Sequence, residues 1–187
     1  ERELHHGKWL RALKTAKHPL VVDVGANAGV FSHLIFGLNP SAEIIAFEPL
    51  PVMHARLESL KKRTGMGLKL IPQAVGRNAG EAWLESPHGY DGISRICEPG
   101  RPSNHAIRVD VTTLDRELAG REILLMKMDV EGYECEALAG AGQTLARTQF
   151  LIIEAQTDKQ RDAVTQILGN GWMRHKLTPC DYFFYRV

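Results

Sequence analysis

The sequence predicts an α/β fold: a doubly wound, mostly parallel sheet with an antiparallel C-terminal hairpin and a small β/loop insertion. Three observations predict it. Short apolar runs alternate with stretches of helical periodicity, and parallel strands need such crossovers between them. The runs at 20–24, 123–128 and 150–153 are almost wholly apolar, as strands buried on both faces are. The 187 residues match the size of one domain and contain no long linker, so 1–187 is expected to form a single unit.

Residues 1–18 space Leu4, Trp9, Leu10 and Leu13 as a loose N-terminal helix, ended by His18-Pro19. A strand at 20–24 then runs into the glycine-rich turn 25–29. A helix from Val30 carries Phe31, Leu34, Ile35 and Leu38 and stops at Asn39-Pro40. The unit repeats: strand 42–47, exit Glu48-Pro49, a helix bearing Val52, Met53, Leu57 and Leu60 to Gly65, and strand 68–71. Between 76 and 111 the rhythm breaks into short strands near 82–84 and 93–96 and breaker-rich loops at 87–92 and 99–105, an insertion bordering the crevice. Residues 107–111 alternate apolar and polar, as a strand with one wet face does. Strand 123–128 ends at Asp129, and a helix is expected from near Glu131 with Cys135, Leu138 and Ala139 on it. Strand 150–153 ends at Glu154, helix 158–168 stops at Gly169-Asn170-Gly171, and 173–177 with 182–185 form the hairpin.

Composition narrows the function. Lys plus Arg number 23 and Asp plus Glu 22, a formal charge of +1, so no overall field recruits nucleic acid or an anionic membrane. No apolar run approaches the ~20 residues of a membrane span. Three scattered cysteines, Cys97, Cys135 and Cys180, make no disulfide framework, and no signal segment opens the sequence, so a cytoplasmic protein is expected. Eight histidines lack metal-ligand spacing, and Lys61-Lys62-Arg63 suits a helix C-terminus.

The first turn carries the chemistry. Parallel sheets bind ligands at the carboxyl ends of their strands, where Asp23-Val24-Gly25-Ala26-Asn27-Ala28-Gly29 falls. Its glycines permit close backbone approach and the following helix offers free N–H groups. A dinucleotide fingerprint requires G-x-G-x-x-G, whereas here Asn27 replaces the second glycine and Asp23 would repel a pyrophosphate. An acid there suits a cation, and Glu48, at the end of the second strand, is placed for ribose hydroxyls. S-adenosylmethionine has both features and no phosphate.

The segments 23–31, Phe47-Glu48-Pro49, 73–76, Thr113-Leu114-Asp115, 127–134, 138–141 and Ile152-Ile153-Glu154 occur in the order and approximate spacing of FkbM-type methyltransferases. The chain resembles that family over about residues 20–155. The resemblance implies a seven-stranded, Rossmann-like sheet of the class I S-adenosylmethionine-dependent methyltransferases. It also implies that Asp23, Gly25, Asn27 and Gly29 surround the methionine end of the cofactor, that Glu48 holds the ribose, and that Gln73 and Ala74 edge the adenine.

Methyl transfer to an alcohol needs an aligned acceptor and a base within hydrogen-bond reach. Asp129 and Glu131, at the exit of the strand 123–128, are the candidate catalytic groups, though an acid there also suits a helix N-terminus. Asp129 and Glu154 end adjacent strands and offer oxygens to Mg²⁺, but acids at strand ends are common without metal, and no metal is assigned. His88, Tyr90, Ser94, Arg95 and His105 lie in the insertion expected to border the acceptor pocket, with a solvated loop position the simpler reading for the two histidines. No Asn- or Asp-Pro-Pro-aromatic motif follows Met128, which disfavours methylation of a base amine. The expected function is O-methylation of a small-molecule hydroxyl on a sugar, polyketide or related metabolite, with no nucleic-acid or membrane partner. A nicotinamide-dependent oxidoreductase, NAD or NADP, and a non-catalytic cofactor-binding module are the alternatives.

Overall fold

The computed structural model describes residues 2–85, 95–96 and 106–186. In chain order the elements are α1 (Arg2–Thr15), β1 (Leu20–Val24), α2 (Val30–Leu38), β2 (Glu43–Phe47), α3 (Pro51–Thr64), β3 (Leu68–Ile71), β4 (Ala74–Val75), β5 (Gly80–Glu85), β6 (Arg95–Ile96) and β7 (Ile107–Thr112). Then come α4 (Leu114–Glu117), β8 (Ile123–Met128), α5 (Glu134–Ala139), α6 (Gly142–Ala146), β9 (Thr148–Glu154), α7 (Asp158–Leu168), β10 (Trp172–Lys176) and β11 (Asp181–Arg186). The loops at 87–92 and 99–105, with His88, Tyr90 and His105, lie outside the described residues, as do Ser94 and Cys97.

The main sheet has seven strands in the order β10-β11-β9-β8-β1-β2-β3. Its five strands from β9 to β3 are parallel, and β11 pairs antiparallel with both β9 and β10. The terminal hairpin therefore folds back so that its second strand enters the sheet, because Phe183 and Phe184, both almost fully buried, must lie over the centre rather than at the edge. Every residue of β1 is buried, as its apolar run predicts. One layer of core gathers Val22, Val24, Ile45, Met126, Met128 and Leu151; the other gathers Leu13 of α1 with Val21, Ile35, Ile44, Leu57 and Leu125. Side chains alternate between the faces of a strand, so successive residues serve opposite layers.

The insertion is a second sheet, ordered β4-β7-β5-β6. Its third core, with Leu50, Met53, Ala74, Leu84, Val109 and Val111, attaches it to α3. The strand 107–112 buries Val109 and Val111 and exposes Arg108 and Asp110, the expected alternation.

Two local readings change. The helix expected from near Glu131 begins only at Glu134, because Glu131 and Gly132 have φ of +53° and +100°, outside the helical region. The helices α4 and α6 were not anticipated; α4 is capped by Thr113, whose hydroxyl accepts the Arg116 N–H. Among the described residues no helix is long and apolar enough to cross a membrane.

Candidate active site

The carboxyl ends of β1, β2 and β8 open into a cleft of about 330 Å³, within the range of ~300–1,000 Å³ typical of small-ligand sites. The turn after β1 forms its floor. Gly25 has φ +79°, and both its N–H and that of Ala26 donate to the Phe47 carbonyl at 3.0 Å, which ties the turn to β2. No side chain fits at Gly25, since a Cβ would stand 1.8 Å from the Asp129 carbonyl oxygen. Asn27, also left-handed at φ +50°, presents its N–H to Glu48. Gly29 does not line the cleft; its φ of +83° starts α2, and a Cβ there would meet Leu57 and Leu60 of α3 at 2.8 Å.

Glu48 is 4% exposed and lines the cleft. One carboxylate oxygen accepts the Asn27 N–H at 2.7 Å and the other the Leu50 N–H at 2.8 Å. Burial pushes its pKa up, and these two N–H groups oppose that shift by favouring the charged form. Each oxygen keeps a second lone pair, so the carboxylate can still accept hydroxyl groups from a ligand. Gln73 and Ala74 form the neighbouring wall.

Asp23 is not in that wall. It is fully buried behind it, where one oxygen accepts the Ser32 hydroxyl at 2.6 Å and the other makes no hydrogen bond but faces Lys127 Nζ at 3.9 Å. Desolvation raises its pKa, offset in part by the Lys127 ammonium. Lys127 in turn contacts Asp129 at 3.0 Å and lies over the Phe31 ring at 6.0 Å. It is the one cation among the described lining residues, against the acids Glu48, Asp129 and Glu131.

Asp129 and Glu131 both line the cleft, on the loop after β8, and the Asp129 N–H continues the β1 ladder by donating to Val24. Glu154, from the end of β9, brings a carboxylate oxygen within 4.8 Å of theirs. Burial and the Asp129 carboxylate raise the Glu154 pKa to about 7. Such a trio can share a proton or hold a divalent cation, and Lys127 already supplies one positive charge. Gln156 donates to Glu131 at 3.0 Å and to Glu154 at 3.2 Å. The structure thus brings Gly25, Asn27, Glu48, Gln73, Ala74, Asp129 and Glu131 into one cleft and leaves Asp23 and Gly29 behind it.

Residues 23–182 match the model of the methyltransferase FkbM domain. The chain belongs to the FkbM methyltransferase family. It is 28% identical over 158 residues to the 2-O-methyltransferase NoeI of Sinorhizobium fredii, covering 73% of this chain and 63% of NoeI. It is 26% identical over 157 residues to the hexuronic acid methyltransferase AglP of Haloferax volcanii, covering 83% of this chain and 64% of AglP. The chain therefore spans somewhat under two thirds of these relatives. The crystal structure of the methyltransferase FkbM from Methylobacillus flagellatus superposes with a TM-score of 0.64 at 18% identity, over 90% of this chain and 43% of that one. A Streptococcus mutans protein solved in complex with SAH has the same fold, with a TM-score of 0.58 at 13% identity over 100% of this chain and 97% of that one.

Three members of the FkbM segment 127–134 were left without a role by sequence reasoning. Lys127 and Tyr133 line the cleft, and Glu134 is fully buried under it. A lysine inside an otherwise apolar parallel strand was the available signal for Lys127, since a buried ammonium needs a partner.

Proposed function

We propose that the chain is the cofactor-binding and methyl-transferring part of an S-adenosylmethionine-dependent O-methyltransferase acting on a small-molecule hydroxyl, of a sugar or a related metabolite. The observation that carries this reading is Glu48, fixed at the mouth of β2 by two backbone N–H bonds and turned to the cleft. Its free lone pairs suit the vicinal hydroxyls of a ribose, and Gln73 and Ala74 beside it suit an adenine edge. Asp129 and Glu131 give the other end a negative field that suits a cation. When bound, S-adenosylmethionine supplies an electrophilic methyl on a sulfonium.

The chain's own groups supply the rest. Lys127 restrains Asp129 at 3.0 Å, so that the carboxylate is oriented where it can take the proton of an acceptor hydroxyl. Glu131 completes the acidic wall. The names of NoeI and AglP favour a sugar-like acceptor, and the misfit of the turn to a dinucleotide fingerprint weighs against the nicotinamide-dependent alternative.

The test is calorimetric titration with S-adenosylhomocysteine (SAH) and with NAD, followed by methyl transfer to a panel of sugars and hydroxylated metabolites. Binding of SAH and turnover on a hydroxyl are expected. Binding of NAD without SAH would overturn the reading.

A further inference from the structure

The loop that carries Asp129 and Glu131 has no helix of its own to hold it, since Glu131 and Gly132 are left-handed. Its restraint begins at Glu134, the first residue of α5, and runs from there to α7. Glu134 is 0% exposed, and one of its carboxylate oxygens accepts the N–H groups of both Val130, at 3.1 Å, and Gly132, at 3.3 Å. The other oxygen accepts from the side-chain amide of Gln160, in the first turn of α7. Gln160 is itself fixed twice: its N–H donates to the capping hydroxyl of Thr157 at 3.2 Å, and its amide oxygen accepts the Gln156 N–H at 2.9 Å. Gln156 then reaches Glu131 and Glu154 with its own amide.

We propose that Glu134, Gln160 and Gln156 form a positioning clamp that sets the carboxylates of the cleft mouth for methyl transfer, with Gln160 as the hinge between α7 and the loop. The inference rests on the methyltransferase reading of the cleft. None of the three touches a reacting atom in this scheme; each acts through Glu131, Glu154 or the backbone of 130–132.

The chemistry of position 160 makes the clamp testable. Thr157 and Gln160 have the spacing of a capping box, in which Glu serves as well as Gln at the third helical position. A residue needed only for capping could therefore become Glu without harm. In the clamp it must accept from Gln156 and donate to Glu134, and only the amide does both. Q160E would set two carboxylates face to face without a donor between them. E134Q/Q160E would exchange amide and carboxylate and restore the pair, since the new amide can still accept from Val130 and Gly132 through its oxygen.

The experiment compares wild type, Q160E, E134Q/Q160E and the surface variant Q156A by amide hydrogen exchange of residues 129–133, by SAH titration, and by turnover on the acceptor used by the wild type. At about pH 8, Q160E is expected to speed exchange in 129–133 and weaken SAH binding about tenfold, as loss of a buried charged hydrogen bond does. The defect should shrink as pH falls, because two facing carboxyls come to share a proton. The double variant should return within about threefold of wild type, and Q156A should lower kcat with little change in SAH affinity. Exchange and binding unaltered in Q160E, or a double variant no better than Q160E, would overturn the clamp. A wild-type chain that binds no SAH would overturn the methyltransferase reading and with it the purpose assigned to the clamp, while exchange still decides whether the clamp holds the loop.

Discussion

Gly25→Ala is the sharpest perturbation of the cleft floor. A Cβ at Gly25 would lie 1.8 Å from the Asp129 carbonyl oxygen and 2.9 Å from its carbon, whereas real Cβ atoms essentially never come within 3.0 Å of a backbone atom. The β1 and β8 ends would have to separate by about 1.2 Å, the gap between 1.8 and 3.0 Å. The Asp129 N–H bond to Val24, now 3.0 Å, stands in the way of that movement. Two costs add: ~1–2 kcal/mol for a side chain in the left-handed region, and ~1–3 kcal/mol for overpacking against rigid backbone. Gly65→Ala isolates the first cost, because Gly65 has φ +71° and nothing within 4 Å of its Cβ position. Urea denaturation of both variants should place Gly25→Ala below Gly65→Ala by ~1–3 kcal/mol, and SAH binding should be lost only in the former. Equal stabilities would refute the claim that the two loops meet too closely for a side chain.

Glu48→Ala strips the N–H groups of Asn27 and Leu50 of their acceptor, and it should weaken SAH binding by at least ~1 kcal/mol in calorimetry; unchanged affinity would break the ribose assignment. Glu154 is raised from 4.5 to about 7, so the folded protein holds a proton that the unfolded chain has released, and the stability this gives below about pH 4.5 is lost as pH rises through about 7. Because Glu154 is partly exposed, solvent screening leaves the effect at about 1 kcal/mol, and Glu154→Gln should gain that much on wild type between about pH 5 and pH 8 in denaturation midpoints. A stability difference that does not vary with pH would contradict it. Asp23 faces the cleft's Lys127 at 3.9 Å, so Asp23→Asn added to Lys127→Met should change SAH affinity by less than about 0.5 kcal/mol, whereas Glu48→Gln should be additive with Lys127→Met. Additive losses for Asp23 and Lys127 would show that Asp23 meets the ligand itself.

The parallel strands β1, β2, β3 and β8 were legible because apolar runs bounded by glycine, proline and acids have few other readings in an α/β pattern. The turn 25–29 was legible for a related reason: glycine and asparagine tolerate positive φ, and Gly25, Asn27 and Gly29 all adopt it. Short elements were not, since the four residues of α4 and the two of β4 are too few to show a period. The start of α5 misled because Asp129-Val130-Glu131-Gly132 has the composition of a helix entrance while its backbone is left-handed at two of those positions. Asp23 was expected in the wall on its charge and on the family resemblance; what sequence cannot give is that Ser32 of α2 and Lys127 of β8 cover it. Glu134 escaped notice because a glutamate in a segment that also holds Glu131 and Glu136 reads as solvated until its three hydrogen bonds are seen.

The cleft is built by the same device used twice. The loop after β1 has a left-handed residue, Asn27, whose N–H is taken by the buried Glu48; the loop after β8 has a left-handed residue, Gly132, whose N–H is taken by the buried Glu134. Glu48, just after β2, holds the loop after β1 from across the sheet, so that strained backbone is fixed by the tertiary fold, whereas Glu134 opens α5 two residues beyond Gly132 and is itself secured by Gln160 of α7. Glu131, at φ +53°, sits between the residues that Glu134 grips. The walls are therefore set before a ligand arrives, and the entropy of ordering two loops is not subtracted from its affinity. It follows that a substitution which frees either loop should cost binding even where no contact to the ligand is removed, and that the cost should fall on Glu134, which is out of the ligand's reach, as heavily as on residues in the wall.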